Sequence, residues 1–124
     1  MNFRKDLEAP YYAVIFSSKA GSNREGYQEV DEKTLELAMT MPGYLGHESK
    51  SENGEGVFIS YWKDLECIAH WRKNEFHQTA IQGGKSGWYA WYHSQVCKVE
   101  RQQFFEYEEE QGLKTVPFEI KFTK

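Results

Sequence analysis

YWKDLECIAHWRKNEFHQTAIQGGKSGWYAWY, residues 61–92, closes one strand, carries a helical stretch and opens the next strand. It holds all four tryptophans, Trp62, Trp71, Trp88 and Trp91, together with His70, His77 and three tyrosines. Large rings with a polar handle each need an apolar slot and a hydrogen-bond partner, so rings this dense line either a pocket or an interface. Asp64 is placed to N-cap a helix with Leu65, Ile68, Ala69 and the stem of Arg72 inward. On a straight helix Trp71 points off that face, which predicts a break near Lys73. Asn74 then caps a second segment over residues 75–82, with Phe76 and Ala80 on one face and His77 and Ile81 on the next. Gly83-Gly84 ends that segment, a turn follows from Lys85 to Trp88, and residues 91–101 read as the last core strand.

Working outward, Tyr11-Tyr12-Ala13-Val14-Ile15-Phe16 is a continuous apolar run, the pattern of a strand buried on both faces. Tyr27, Val30, Thr34, Leu37, Ala38 and Met41 recur at the helical period, with Glu29, Asp31, Glu32 and Glu36 on the other sides, until Pro42-Gly43 stops the helix. Tyr44 to Ser49 reads as a short strand, Ser51-Glu52-Asn53-Gly54 as a hairpin turn and Val57 to Trp62 as its return. Three regions follow: a loose polar arm at 1–10, a domain at 11–102, and an acidic extension at 103–124. The extension contains Glu106 to Glu110 and an alternating stretch from Val116 to Phe122 suited to an edge strand.

The order strand, helix, strand, strand, helix, strand is the α+β, ferredoxin-like βαββαβ arrangement, an antiparallel sheet with both helices on one face. Helices cover only that face, whereas the strands at Tyr11 and Val57 are apolar on both. A second copy packed sheet to sheet is the simplest cover, so a homodimer is expected, a dimeric α+β barrel. With 124 residues the chain has room for one core. Fifteen basic and 19 acidic residues leave a net charge of −4, which argues against nucleic acid or an anionic membrane as partner. No apolar run reaches the ~20 residues of a membrane span and the first residues lack a signal-peptide core, so the expected location is the cytoplasm. Cys67 and Cys97 read as small half-buried hydrophobes.

The chain resembles the antibiotic biosynthesis monooxygenase family, whose domains are dimeric ferredoxin-like α+β barrels. The resemblance rests on YYAVIF, MPGYLGHES, ISYWKDLECIAHW, NEFHQTAIQGGKSGWYAWY and VCKVER, in that order, and spans about Tyr11 to Arg101. It is strongest to an uncharacterised branch, whose pattern Trp71, His77, Gly84, Trp88, Tyr89 and Tyr92 fit. The wider family includes quinone-forming monooxygenases that use neither metal nor flavin, and haem-degrading monooxygenases. The haem group carries an Asn on the first strand, a Trp on the second helix and a later His as axial ligand. Trp71 matches that tryptophan, but residues 11–18 contain no Asn, and His77 comes earlier than the ligand, whose place is nearer Ala80 or Ile81.

The resemblance implies a cofactor-independent monooxygenase acting on a small aromatic or polyketide-like molecule. Its protein need only supply a dry pocket, a base and oxyanion donors. His77 is the candidate base, with Trp71 and Asn74 beside it as catalytic candidates. Trp62, Trp88, Tyr89 and Tyr92 are the substrate-binding candidates. The alternatives are a non-catalytic small-ligand-binding dimer, in which His77 and the tryptophans serve packing, and a haem-binding or haem-degrading protein with His77 or His70 as axial ligand. His70 and His77 share a face of an unbroken helix, but no third ligand follows at helical spacing, so no metal site is expected.

Overall fold

The structure is a computed structural model and describes residues 2–74 and 87–107. Its elements are β1 (Tyr11–Ala20), α1 (Tyr27–Thr40), β2 (Tyr44–Glu52), β3 (Glu55–Trp62), α2 (Leu65–Arg72) and β4 (Tyr89–Val99). The four strands form one antiparallel sheet in the order β2-β3-β1-β4. β1 is central, which is why its sequence is apolar without alternation. Its even residues Tyr12, Val14 and Phe16 stand opposite Trp62, Ser60 and Phe58 on one face; Ala13 and Ile15 stand opposite Tyr61 and Ile59 on the other. The first face carries the core, where Ala38, Trp62, Ile68 and Trp71 pack with Tyr12, Val14, Leu37, Met41, Tyr44 and Cys67.

α1 follows the expected stripe, with Tyr27, Val30, Thr34, Leu37 and Ala38 turned in and the four acids exposed. It ends as Met41 turns to extended backbone ahead of Pro42. The hairpin is tighter than the sequence reading, because β2 continues through Glu52. The turn needs only Asn53 (φ 53°) and Gly54 (φ 80°), both in the left-handed region that a two-residue turn requires to match the right-handed twist of its strands.

α2 starts as expected, with Asp64 Oδ1 accepting from the Cys67 N–H at 2.8 Å, and it stops at Lys73. Its inward face differs from the sequence reading. Leu65 is 53% exposed and Ala69 and Arg72 are exposed, whereas Ile68 is buried and Trp71 is 7% exposed. Ile68 and Trp71 are three apart and Cys67 and Trp71 four apart, so a small rotation of the helix faces all three inward. Trp71 carries more apolar area than Leu65, and its burial against Trp62 sets the rotation. The segment expected at 75–82, His77 included, and the edge strand expected near Val116 lie outside the described residues.

The arm at 1–10 is docked rather than loose. Phe3–Asp6 forms one 3-10 turn capped by the Asn2 side chain, and Leu7 is buried. The Phe3 ring lies on Gly46 and 5.7 Å from the Tyr61 ring, where any Cβ on residue 46 would collide with it. Arg4 pairs with Glu48 at 2.7 Å, and Glu48 also accepts from the Tyr61 hydroxyl at 2.6 Å. Gln102 accepts from the Tyr11 hydroxyl at 2.7 Å and donates to the Leu7 carbonyl, while Lys5 meets Glu106 at 2.7 Å. Arm and post-β4 chain thus cover one end of the sheet face that the helices leave open. Phe3 and Leu7 alone show no period, and these partners lie far along the chain, so composition alone pointed to a loose arm.

Candidate functional site

Two β-bulges shape the helix-side face. In β2 the pairing passes from Tyr44↔Trp62 to Gly46↔Tyr61, leaving Leu45 as the extra residue. In β4 it passes from Ala20↔Tyr89 to Lys19↔Trp91, leaving Ala90 extra. Residues three apart on a regular strand point to opposite faces; one inserted residue returns them to the same face. Tyr44 and His47 therefore come together, as do Tyr89 and Tyr92. The outcome is visible in the rings: Tyr44 shares a hydrogen bond with His47 Nδ1, and Tyr89 and Tyr92 lie 5.9 Å apart with Phe16 at 5.4 Å from both.

Around β4 the rings form a wall. Tyr27, the first residue of α1, meets Trp88 and Tyr89 edge-on at 5.7 Å each. Arg24, in the loop before α1, lays its guanidinium 3.6 Å over the Tyr27 ring and 5.5 Å from that of Tyr89, and its Nη1 donates to the Trp88 carbonyl at 2.7 Å. The Trp88 indole N–H donates to the Glu25 carbonyl at 2.9 Å, tying the strand start to the same loop. Burial, then a hydrogen bond with Tyr27 and the charge of Asp31, raise the Tyr89 hydroxyl far above the ordinary phenol range, so it is a donor that stays protonated. Although Asp31 keeps an exposed surface, partial desolvation of its carboxyl raises it, and Arg24 and Tyr27 pull it back. Beside this wall an open cavity of about 400 Å³ lies between Ser18, Ala20, Arg24, Tyr27 and the hairpin residues 51–56. Its volume is that of a small-ligand site, but it is half open and its lining is mostly polar, with Tyr27 the one ring that lines it among the described residues.

The second aromatic group is buried. Trp62 is 0% exposed, stacks on Trp71 at 6.1 Å and donates its indole N–H to Ser60 Oγ at 2.8 Å. Tyr44 meets Trp62 edge-on at 5.6 Å, and His47 stacks on Phe58 at 5.5 Å. Burial raises the Tyr44 hydroxyl. On α1, the buried Thr34 Oγ1 has no hydrogen-bond partner among the described residues; it lies seven residues after Tyr27 on the same inward stripe.

Of the sequence candidates, then, Trp88, Tyr89 and Tyr92 gather at one wall, Trp62 and Trp71 stack in the core, and the half-buried Asn74 sits just past α2, its backbone N–H on the Trp71 carbonyl at 3.0 Å. His77 lies outside the described residues. Sequence reasoning passed over Arg24, Phe16, Tyr44 and His47. The signal for Arg24 was its place three residues before the tyrosine that opens α1. For Tyr44 and His47 a strict period of two concealed the pairing.

An antiparallel sheet in this order with two helices defines an α+β domain of ferredoxin-like fold, and the chain belongs to the antibiotic biosynthesis monooxygenase family, whose model matches residues 10–83. It is 47% identical over 103 residues to the uncharacterised protein YqjZ of Bacillus subtilis, covering 82% of this chain and 90% of that one. SnoaB, a cofactor-independent oxygenase from Streptomyces nogalater solved as a point mutant, superposes with a TM-score of 0.66 at 14% identity, covering 79% of this chain and all (100%) of SnoaB. Rv0793 from Mycobacterium tuberculosis superposes with a TM-score of 0.65 at 10% identity, covering 74% of this chain and 97% of that one. At these identities the likeness to the solved structures is one of fold. No described helix is long and apolar enough to cross a membrane.

Proposed function

We propose that this protein is a cofactor-independent monooxygenase that oxidises a small electron-rich aromatic molecule held against the wall of Tyr27, Trp88, Tyr89 and Tyr92. The observation that carries the reading is the bulge at Ala90, which sets Tyr89 and Tyr92 on the helix-side face with Phe16, beside a cavity of about 400 Å³. Family membership supports the reaction class. In the reaction, His77 removes a proton from an activated CH2 group and the carbanion reduces dioxygen. The carbon gives up two hydrogens and four electrons in all; one oxygen atom becomes its carbonyl oxygen, and the other leaves as water with the proton returned from His77. Tyr89, held protonated, turns its one O–H from Tyr27 to the substrate oxygen on which charge accumulates. Trp62 and Trp71 stack opposite Tyr12, at the other end of β1 from Tyr92 and Tyr89, so in this reading they hold α2 on the sheet and do not touch the ring.

A homodimer belongs to this reading. On the sheet face away from the helices, Val57 is 42% and Trp91 46% exposed, at the end that the arm leaves uncovered. A second copy there buries them, and Val57→Asp is expected to yield a monomer by sedimentation. The activity test is oxygen uptake by metal-depleted protein with a panel of anthrones and dihydroxynaphthalenes, followed with ¹⁸O₂. Turnover with one labelled oxygen in the product supports the proposal. Saturable binding without oxygen uptake makes the protein a ligand-binding domain, and uptake that releases one hydrogen peroxide per oxygen makes it an oxidase; either result refutes it.

A further inference from the structure

We infer that the cavity between the loop before α1 and the β2–β3 hairpin takes a carboxylate, so that the substrate of the site proposed above is an aromatic acid oriented by Arg24. The inference rests on that reading for the location of the ring, but its charge argument is separate. Arg24 is the one cation lining the cavity among the described residues. Its guanidinium is held in place rather than free to sweep solvent, stacked at 3.6 Å on Tyr27 and anchored by Nη1 on the Trp88 carbonyl at 2.7 Å. A guanidinium has five N–H donors in a planar fork, so that bond leaves most of them for a ligand. The place of the guanidinium over the Tyr27 ring also limits the directions from which a carboxylate can reach its fork.

A second feature favours negative charge at the same end. α1 begins at Tyr27 after Gly26, which has no side chain with which to cap the first turn, and no side-chain cap bond is made there. The positive end of this 14-residue helix therefore adjoins Arg24. Across the cavity the hairpin contributes Glu52 and Glu55, both exposed. The potential thus rises from the carboxylates on the hairpin side to a guanidinium and a helix N-terminus on the α1 side. A ligand with one anionic end and a hydrogen-bond donor at the other aligns with it in one direction only; a dianion does not fit, because its second charge meets Glu52 and Glu55. Asp31 balances part of the Arg24 charge but does not line the cavity. Placed this way, the ring of the acid lies against Tyr27, the wall residue that also lines the cavity, and Arg24 acts as a binding residue that sets orientation.

The test is equilibrium binding under anaerobic, low-salt conditions, where no turnover occurs. The probes are 1-hydroxy-2-naphthoate and its neutral isostere 1-hydroxy-2-naphthamide. Wild-type protein is expected to prefer the acid by at least about tenfold, a preference that shrinks with added salt. Arg24→Gln is expected to bring the ratio near one, and Glu55→Gln, at an exposed position, to strengthen acid binding a few-fold. Should Arg24→Gln fail to fold by circular dichroism, the wild-type ratio and its Glu55→Gln shift still decide. Equal affinity for acid and amide, a preference that survives Arg24→Gln in folded protein, or no binding of either probe at millimolar concentration overturns the inference. Oxygen uptake with neutral substrates only would overturn it while leaving the monooxygenase reading standing; acid-selective binding without oxygen uptake would do the reverse.

Discussion

Ser60→Ala is expected to cost far more than the loss of one hydroxyl from a strand usually does. Ser60 and Trp62 are two apart on β3 and so share its helix-side face, and Trp62 has no exposed surface at all. The indole N–H donates to Ser60 Oγ at 2.8 Å, inside a core otherwise made of Ala38, Ile68 and Trp71. Removing the acceptor leaves that N–H buried without a partner, a penalty of about 1–3 kcal/mol. Trp62→Phe removes the donor together with ring volume, about 1–3 kcal/mol of lost packing against Trp71. Once Trp62 is Phe, Ser60→Ala no longer orphans anything, so the double variant should be more stable than the sum of the singles predicts by about 1–2 kcal/mol. Urea unfolding followed by far-UV circular dichroism at fixed protein concentration measures all four forms. At a slope of roughly 2 kcal/mol per molar urea, a 2 kcal/mol change moves the midpoint by about 1 M. A Ser60→Ala shift within about 0.3 kcal/mol of zero, or a fully additive cycle, would refute the idea that this bond is the reason for a serine in the core.

Thr34→Val should raise stability by about 1 kcal/mol in ligand-free protein, because it replaces a buried hydroxyl that has no partner among the described residues with a methyl group, and a thermal melt reads it as a rise of a few degrees. A fall in melting temperature would mean that the hydroxyl is satisfied after all. Glu48 is held below the ordinary carboxylate range, first by the Tyr61 hydroxyl and then by Arg4. Its folded value lies under its unfolded one, so its stabilisation is complete above about pH 4.3 and fades as pH falls through the folded value. Glu48→Gln should therefore destabilise at pH 7 and converge on wild type in acid; a gap in urea midpoint that does not change with pH contradicts this. Tyr89→Phe, with the ring kept and the donor removed, is expected to lower turnover about a hundredfold with little change in substrate binding. Equal losses in binding and turnover would assign the hydroxyl to binding alone.

The helices and the strand order were legible because each element carries its own period. α1 declared itself by six inward residues and by Pro42-Gly43, and α2 by Asp64, whose cap bond forms as read. β1 could be recognised as a strand with apolar residues on both faces because Tyr11 to Phe16 has no polar alternation, but its place between β3 and β4 came only from the sheet. The rotation of α2 was not legible. Leu65 and Trp71 compete for the inward side, and the outcome depends on Trp62, whose ring reaches across from the end of β3. The docked arm was equally hidden, since Phe3 needs a glycine at residue 46 and Leu7 needs Gln102.

The candidate site divides along the same line. Local order along the chain determined which residues are helix, which are strand, and that Trp88, Tyr89 and Tyr92 sit where the last strand begins, because propensity, capping and periodicity act between neighbours. Only the tertiary structure decided which side of the sheet their rings occupy. A bulge is a mismatch between two strands, so the extra residues Leu45 and Ala90 have meaning only against Trp62 and Tyr61 in one case and Lys19 and Ala20 in the other. The position of Arg24 over Tyr27 and beneath the Trp88 carbonyl likewise depends on partners up to 64 residues away, and no local signal sets that distance.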